Sequence, residues 1–374
     1  MSITSHIFSI SKMEEFLLKS SSVDDISALT SVIKQDPTKK LTAEEVKQDT
    51  SIFARLLIRA YVGWPVLNVF IKRKVLKQLI NLYNNAHEIT AQDFFDSIKS
   101  VIGSIPDNHI SMSFNGVRAT TTKRKEYKNV GSNISQDADI SFKMLKKDIA
   151  IIGFKKMLRT DEFKDTIASF ISEILPKSKA LIIDLRGNSG GNSTYSDKFA
   201  NYLCGTKIDS YRKLYVRATP EAQKIQQQSS PNAFWAGLPE SEDFIFFREG
   251  KNYSIDKNKA YMKPIYILTD RITGSSAEMF LLRMIHHPCV KVIGDNSAGM
   301  ETFGNMGSAF LKNSQIKVAI GMNYRILFED NFELNGYKPD IQCEDGTDAL
   351  DTALAEIDKK LLLQQVKIYD GRDK

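Results

Sequence analysis

From about residue 140 onward, short apolar runs alternate with segments of helical period, and this alternation constrains the fold more than any other feature. Ile149-Ala150-Ile151-Ile152-Gly153, Ala180-Leu181-Ile182-Ile183-Asp184, Pro264-Ile265-Tyr266-Ile267-Leu268 and Lys291-Val292-Ile293 each read as a strand. The second is apolar up to its aspartate, the pattern of a strand buried on both faces. Between the strands, Thr160 caps a helix whose apolar face is Phe163, Ile167, Phe170, Ile171 and Ile174. Tyr195 to Cys204 and about Ser275 to His286 read as two further helices. Strand–helix–strand repetition predicts a sheet with parallel pairs and helices on its faces, an α/β fold. Residues 205–263, which include Gln226-Gln227-Gln228-Ser229-Ser230-Pro231, lack this grammar and read as an insertion.

The first hundred residues follow a different pattern. Thr42-Ala43-Glu44-Glu45 and Thr90-Ala91-Gln92-Asp93 have the spacing of helix N-terminal capping boxes. Phe94, Phe95, Ile98, Val101, Ile102 and Ile105 then repeat with helical period. A helical N-terminal domain over 1–105 and a second domain over 106–374 are the expected division. At the join, His109-Ile110-Ser111-Met112-Ser113-Phe114 alternates like a strand and runs into the turn dipeptide Asn115-Gly116. The Lys-rich stretch from Ala119 to Asp139 reads as a mobile loop. Ile52 to Ile71 has the length of a membrane span, but contains Arg55, Arg59, Asn68 and the break Gly63-Trp64-Pro65. Each arginine in a span costs about 2.5–3.5 kcal/mol, so this window reads as a buried or amphipathic helix pair.

Composition removes several function classes. With 42% hydrophobic and 26% charged residues among 374, the chain is not globally disordered. Its net charge of +6 is modest, and the runs Lys72-Arg73-Lys74 and Lys123-Arg124-Lys125 are short enough to read as solvated surface, with no nucleic-acid partner expected. Three cysteines with no CxxC give neither a disulfide framework nor a thiolate zinc site, and no metal or cofactor is expected. The N-terminus lacks the cationic start and apolar core of a secretory signal, so a cytoplasmic protein without stable membrane insertion is expected.

Chemistry in such sheets gathers where strands hand over to helices. Asp184-Leu185-Arg186-Gly187-Asn188-Ser189-Gly190-Gly191-Asn192 follows a buried strand, and its glycines let backbone N–H groups approach a negative charge. It is neither GxGxxG nor a P-loop; a plain tight turn is the alternative. Thr269-Asp270-Arg271-Ile272-Thr273-Gly274-Ser275-Ser276-Ala277-Glu278 places a serine pair at a helix mouth, where a serine is most often only an N-cap.

Taken in order, DLRGNSGGN, TGSSAE, VIGDNSAG and FELNGYKPDI resemble the C-terminal processing (tail-specific) serine peptidases over about residues 107 to 360. The resemblance implies a crotonase/ClpP-like core. It places the nucleophile at Ser275 and an oxyanion hole on the N–H of Ser276 with that of Gly190 or Gly191. Many members pair the serine with a lysine in a segment like GKG, but here Met300 stands at that position. The histidine/glutamate branch, resembling the tricorn core protease, implies instead His109, within Asp107-Asn108-His109, and Glu333, within Phe332-Glu333-Leu334-Asn335-Gly336. That branch places a serine before its histidine where this chain has Asn108. Too few residues separate His109 from Ser141 for the PDZ domain common in the family.

The implied activity is peptide-bond hydrolysis through an acyl-enzyme on Ser275, with His109 as general base and a peptide or protein as substrate. Two other classes fit the fold. A non-catalytic carrier, like the retinoid-binding relatives, would account for the missing lysine. Crotonase-type acyl-CoA chemistry would use the same oxyanion-hole idea without needing the TGSSAE serine.

Overall fold

The computed structural model describes residues 9–28, 35–121, 134–135, 138–229, 238–241, 244–251, 254–344 and 346–370, with the side chains of 361–370 excepted. Most of the Ala119–Asp139 stretch and the end of the Gln226–Pro231 segment lie outside these residues. Compact packing groups the chain into two units that cut across a linear boundary at 105. One holds residues 1–124, 213–248 and 302–326; the other holds 125–212, 249–301 and 327–374.

In the first unit the helices Ile10–Leu18, Ala43–Arg55, Val69–Asn84, Ala91–Ile102 and Pro220–Ser229 share a core with an antiparallel sheet. Thr42 and Glu45 form a reciprocal capping box at the second helix, and the Thr90 hydroxyl accepts the Asp93 N–H at the fourth. The apolar window Ile52–Ile71 becomes the end of one helix, a π turn at Leu56–Ala60, and the start of the next after the Gly63-Trp64-Pro65 break. No helix among the described residues is long and apolar enough to cross a membrane.

Ser111–Phe114 and Val117–Thr120 pair as a hairpin through Asn115-Gly116, where both residues have positive φ as the tight turn requires. Lys317–Leu327 lies against Ser111–Phe114, and Phe303–Phe310 against Lys317–Leu327. Residues 302–326 therefore belong with the N-terminal segment because they complete its sheet. Tyr211–Arg217 and Phe244–Glu249, inside the expected insertion, extend that sheet further.

The second unit carries the alternating pattern. Its sheet runs Ile341–Gln342, Val290–Gly294, Ile265–Thr269, Ala180–Asp184, Ile149–Phe154, Ile140–Leu145. The first five strands are parallel, and the last is an antiparallel edge. Side chains alternate across it. Ala150, Ile152, Leu181, Ile183, Ile265 and Ile267 pack with Phe163, Phe199 and Phe280 from three helices. Ile151, Ile182, Tyr266 and Leu268 pack with Ala349, Ala353 and Ile357 of the C-terminal helix on the other face. Burial on both faces explains the near-continuous apolar runs. Tyr337-Lys338-Pro339-Asp340 is turn chemistry: the Asp340 carboxylate accepts the Val292 N–H at 2.7 Å and ties the turn to the sheet.

Candidate active site

In the second unit the two glycine- and serine-bearing turns leave adjacent strands, because Ala180–Asp184 and Ile265–Thr269 pair in parallel register. Several bonds hold the turns together. Asp270 Oδ2 accepts the Gly187 N–H at 2.9 Å, the Gly274 N–H donates to the Asn188 carbonyl at 2.9 Å, and the Thr273 hydroxyl donates to the Leu185 carbonyl at 2.9 Å. Arg186 turns inward, bonded to Asp184 and to Asp348 at 2.7 Å, so its role is to anchor the turn to the C-terminal helix.

Ser275 stands at the head of the helix Ser276–Met284 with φ 52 and ψ −122. An ordinary N-cap sits in the extended region with negative φ. A serine forced to positive φ carries backbone strain of the kind that clusters at functional sites. Gly190 makes this turn possible: a Cβ there would lie 2.7 Å from the Ser275 Cβ and 2.9 Å from the Ser276 nitrogen. The hydroxyl of Ser276 donates to the Gly191 carbonyl at 2.7 Å and fixes the glycine turn across the mouth of the helix.

The two glycines differ in what their N–H groups do. Gly190 donates to Asn188 Oδ1 at 2.9 Å. The Gly190 carbonyl accepts from Met157 at 3.1 Å, and in a trans peptide the N–H of Gly191 then points the opposite way. Among the described residues, neither the Gly191 N–H nor the Ser276 N–H meets an acceptor.

Glu278, the last residue of the TGSSAE motif, is fully buried and was not singled out by sequence. Its carboxylate accepts the Ser275 N–H at 3.1 Å, the Ser297 hydroxyl at 2.5 Å, and the N–H groups of Gly299 and Met300 at 2.7 and 2.9 Å. It thereby joins the strained turn to residues 297–300. Met300 is buried, and a Cβ on Gly274 would lie 2.7 Å from its sulfur, so Met300 packs beside the Ser275 turn.

The Phe332–Gly336 turn docks on the same segment. The Leu334 N–H donates to the Gly299 carbonyl at 2.8 Å, and Ser297 Oγ accepts the Tyr337 N–H at 2.8 Å. Glu333 is half-buried in that turn. The second unit therefore brings Ser275, Ser276, Gly190 and Gly191 together directly, and joins the segment bearing Glu333 to them through Glu278.

Burial pushes Glu278 up to about 7, although its four donors pull the other way. A raised carboxyl holds a proton in the folded state that the unfolded chain has already released. This contribution to stability is present below about pH 4.5 and is lost as pH rises through about 7. Glu278→Gln has no such titration. The melting temperature of the native protein, measured against that variant across this range, is expected to decline by several degrees as pH rises. Parallel curves would show that Glu278 keeps an ordinary carboxylate.

His109 belongs to the first unit. Its position is set by Asp107, which is buried and pushed up to about 6 by desolvation. Asp107 accepts the His109 backbone N–H at 2.6 Å and the Tyr61 hydroxyl at 2.7 Å. Asp107 thus shapes the turn through the His109 backbone. His109 is 6% exposed, and burial, then Arg325, then Arg118 lower the imidazole pKa to about 3, against a hydrogen bond to the Phe303 backbone. Phe303 in turn stacks on Tyr324 at 5.6 Å, within an aromatic series that continues to Tyr215 and Phe244. The resemblance singles out His109 by its motif; of the aromatics beside it, Tyr215 and Phe244 lie within 205–263, the stretch expected to be an insertion.

A model of peptidase family S41 matches residues 148–343, just over half of the chain. The chain belongs to peptidase family S41. As an S41 member it is a serine-type peptidase, a hydrolase of peptide or protein substrates. Two solved structures are similar in fold. A candidate peptidase from Parabacteroides merdae matches over 84% of this chain and 96% of its own at 16% identity, with a TM-score of 0.57. Mature CPAF, solved in complex with lactacystin, matches over 80% of this chain and 94% of its own at 12% identity, with a TM-score of 0.50. The fold class expected from sequence, an α/β peptidase core with an N-terminal helical region, is the S41 fold observed here.

Proposed function

We propose that this S41 member cleaves peptide bonds through an acyl-enzyme on Ser275, in the manner of the histidine/glutamate branch and without a PDZ domain. The observation that carries the reading is the positive φ of Ser275 at a helix mouth, a conformation that capping does not require. Ser275 Oγ attacks the scissile carbonyl carbon while His109 accepts the hydroxyl proton. The C–N bond then breaks, and the amine leaves with that proton. Water, deprotonated by the same imidazole, attacks the ester carbonyl; the C–O bond to Ser275 breaks, Oγ takes the proton back from the imidazole, and the carboxyl product leaves.

The oxyanion hole is assigned to the N–H groups of Ser276 and Gly191, because the Gly190 N–H is committed to Asn188. Donors of this kind are worth about 10²–10³ in rate each. Glu333 orients the site from a turn that Gly299 and Glu278 hold in place. The thioether of Met300 cannot take a proton, which supports histidine rather than lysine as the base.

Labelling by a fluorophosphonate, mapped by mass spectrometry, tests the reading. One adduct per chain on Ser275 is expected. An adduct on another serine, or peptide cleavage without any labelling, would overturn it.

A further inference from the structure

Residues 51 to 87 carry six cations, Arg55, Arg59, Lys72, Arg73, Lys74 and Lys77, and no Asp or Glu. Arg55 and Arg59 are spent on the buried Glu221. The other four lie on the helix Val69–Asn84, which buries Val75, Leu76 and Leu79 on one face. On the opposite edge Phe70, Lys74 and Lys77, spaced i, i+4 and i+7, are all exposed. Phe70 is 74% exposed, and Val69 and Val66 beside it are 49% and 42% exposed.

Folding does not explain this arrangement. Cations near a helix N-terminus oppose the helix dipole, and an exposed Phe gains nothing from the core. The tip is nevertheless firmly built. Asn68 caps the helix by accepting the Phe70 N–H at 2.8 Å, Lys72 Nζ donates to the Pro65 carbonyl at 3.0 Å, and the Val66 and Leu67 N–H groups donate to the Gly63 carbonyl. Trp64 beneath it is buried and bonded to Glu14 at 2.8 Å.

We propose that this tip docks the protein on the surface of an anionic lipid bilayer, with Val66, Val69 and Phe70 entering the headgroup boundary and Lys74 and Lys77 meeting lipid phosphates. The segment itself carries charge of one sign, with no acidic residue between Ser51 and His87, and the Glu14 carboxylate beneath the tip is bonded to Trp64. A nucleic acid would satisfy the lysines and leave the three apolar side chains in water. A bilayer interface takes both. The docking is peripheral and independent of the peptidase reading.

Sedimentation of the full chain with phosphatidylcholine–phosphatidylserine vesicles, against pure phosphatidylcholine vesicles, tests the proposal. Binding to the mixed vesicles alone, weakening as salt is added, is expected. Removing a surface cation should weaken it by about five-fold, so the charge reversals in Lys74→Glu/Lys77→Glu should abolish it. Phe70→Ser should weaken it by about ten-fold with every charge intact. All of these side chains are exposed, so circular dichroism should be unchanged. Three results would overturn the proposal: no binding to mixed vesicles at low salt, native affinity in either variant, or an oligonucleotide bound through the lysines with Phe70→Ser indistinguishable from the native protein.

Discussion

Ser275→Ala is expected to lower turnover of a peptide substrate by four orders of magnitude or more, about the scale on which a serine peptidase loses its nucleophile. Binding should survive, because backbone N–H groups at Ser276 and Gly191 are untouched by the change. The backbone adds a second expectation that a merely structural serine would not share. At φ 52 a residue with a Cβ is strained, and glycine is not. Ser275→Gly should therefore melt above both the native protein and Ser275→Ala, by the equivalent of about 1–3 kcal/mol of strain, while remaining inactive. A variant that is both more stable and dead marks strain kept for function. Wild-type turnover in Ser275→Ala would remove Ser275 from the site, and a less stable Ser275→Gly would assign the serine to capping alone.

What the sequence made legible follows the physics of each element. The parallel sheet was readable because strands buried on both faces must be apolar throughout, as Ala180–Ile183 is. The first unit was less so. Phe303–Phe310 contains Gly304, Asn305 and Gly307, and Asn305 has a positive φ, so the strand lacks a clear apolar period although its register with Lys317–Leu327 is continuous. Tyr211–Arg217 and Phe244–Glu249 sit in what reads as an insertion, yet hydrogen bonding across the chain makes them part of one sheet. Pairing over that sequence distance leaves no local signal.

The same division holds at the site. Ser275, Ser276 and the two glycines were singled out by the resemblance of DLRGNSGGN and TGSSAE to the tail-specific peptidases; composition alone left a plain tight turn and an N-cap as alternatives. Which glycine is left with a spare N–H depended on where Asn188 points, and sequence does not carry that. Glu278 looked like one more carboxylate in the first turn of a helix, where acids are favoured by the dipole. Its burial, and the four donors that converge on it from two segments, arise only when the chain closes.

His109→Ala is expected to cost about 10²–10⁴ in kcat, the usual worth of a positioned general base. The pH dependence separates that role from a structural one. Burial, Arg325 and Arg118 lower the His109 pKa to about 3. The imidazole is then neutral, and able to accept a proton, far below the pH at which an ordinary histidine charges. The acid limb of kcat/KM should lie well below pH 6, and Arg118→Gln should move it upward by removing one of the two cations. The stability curve has a matching sign. The folded pKa lies below the unfolded value, so the unfolded chain takes up its proton first, and this contribution to stability is lost as pH falls from about 6.5 towards 3. His109→Gln should flatten that part of the curve. A limb near 6.5 that ignores Arg118→Gln would mean the active enzyme does not bury His109 as described, and wild-type turnover in His109→Ala would place the base elsewhere.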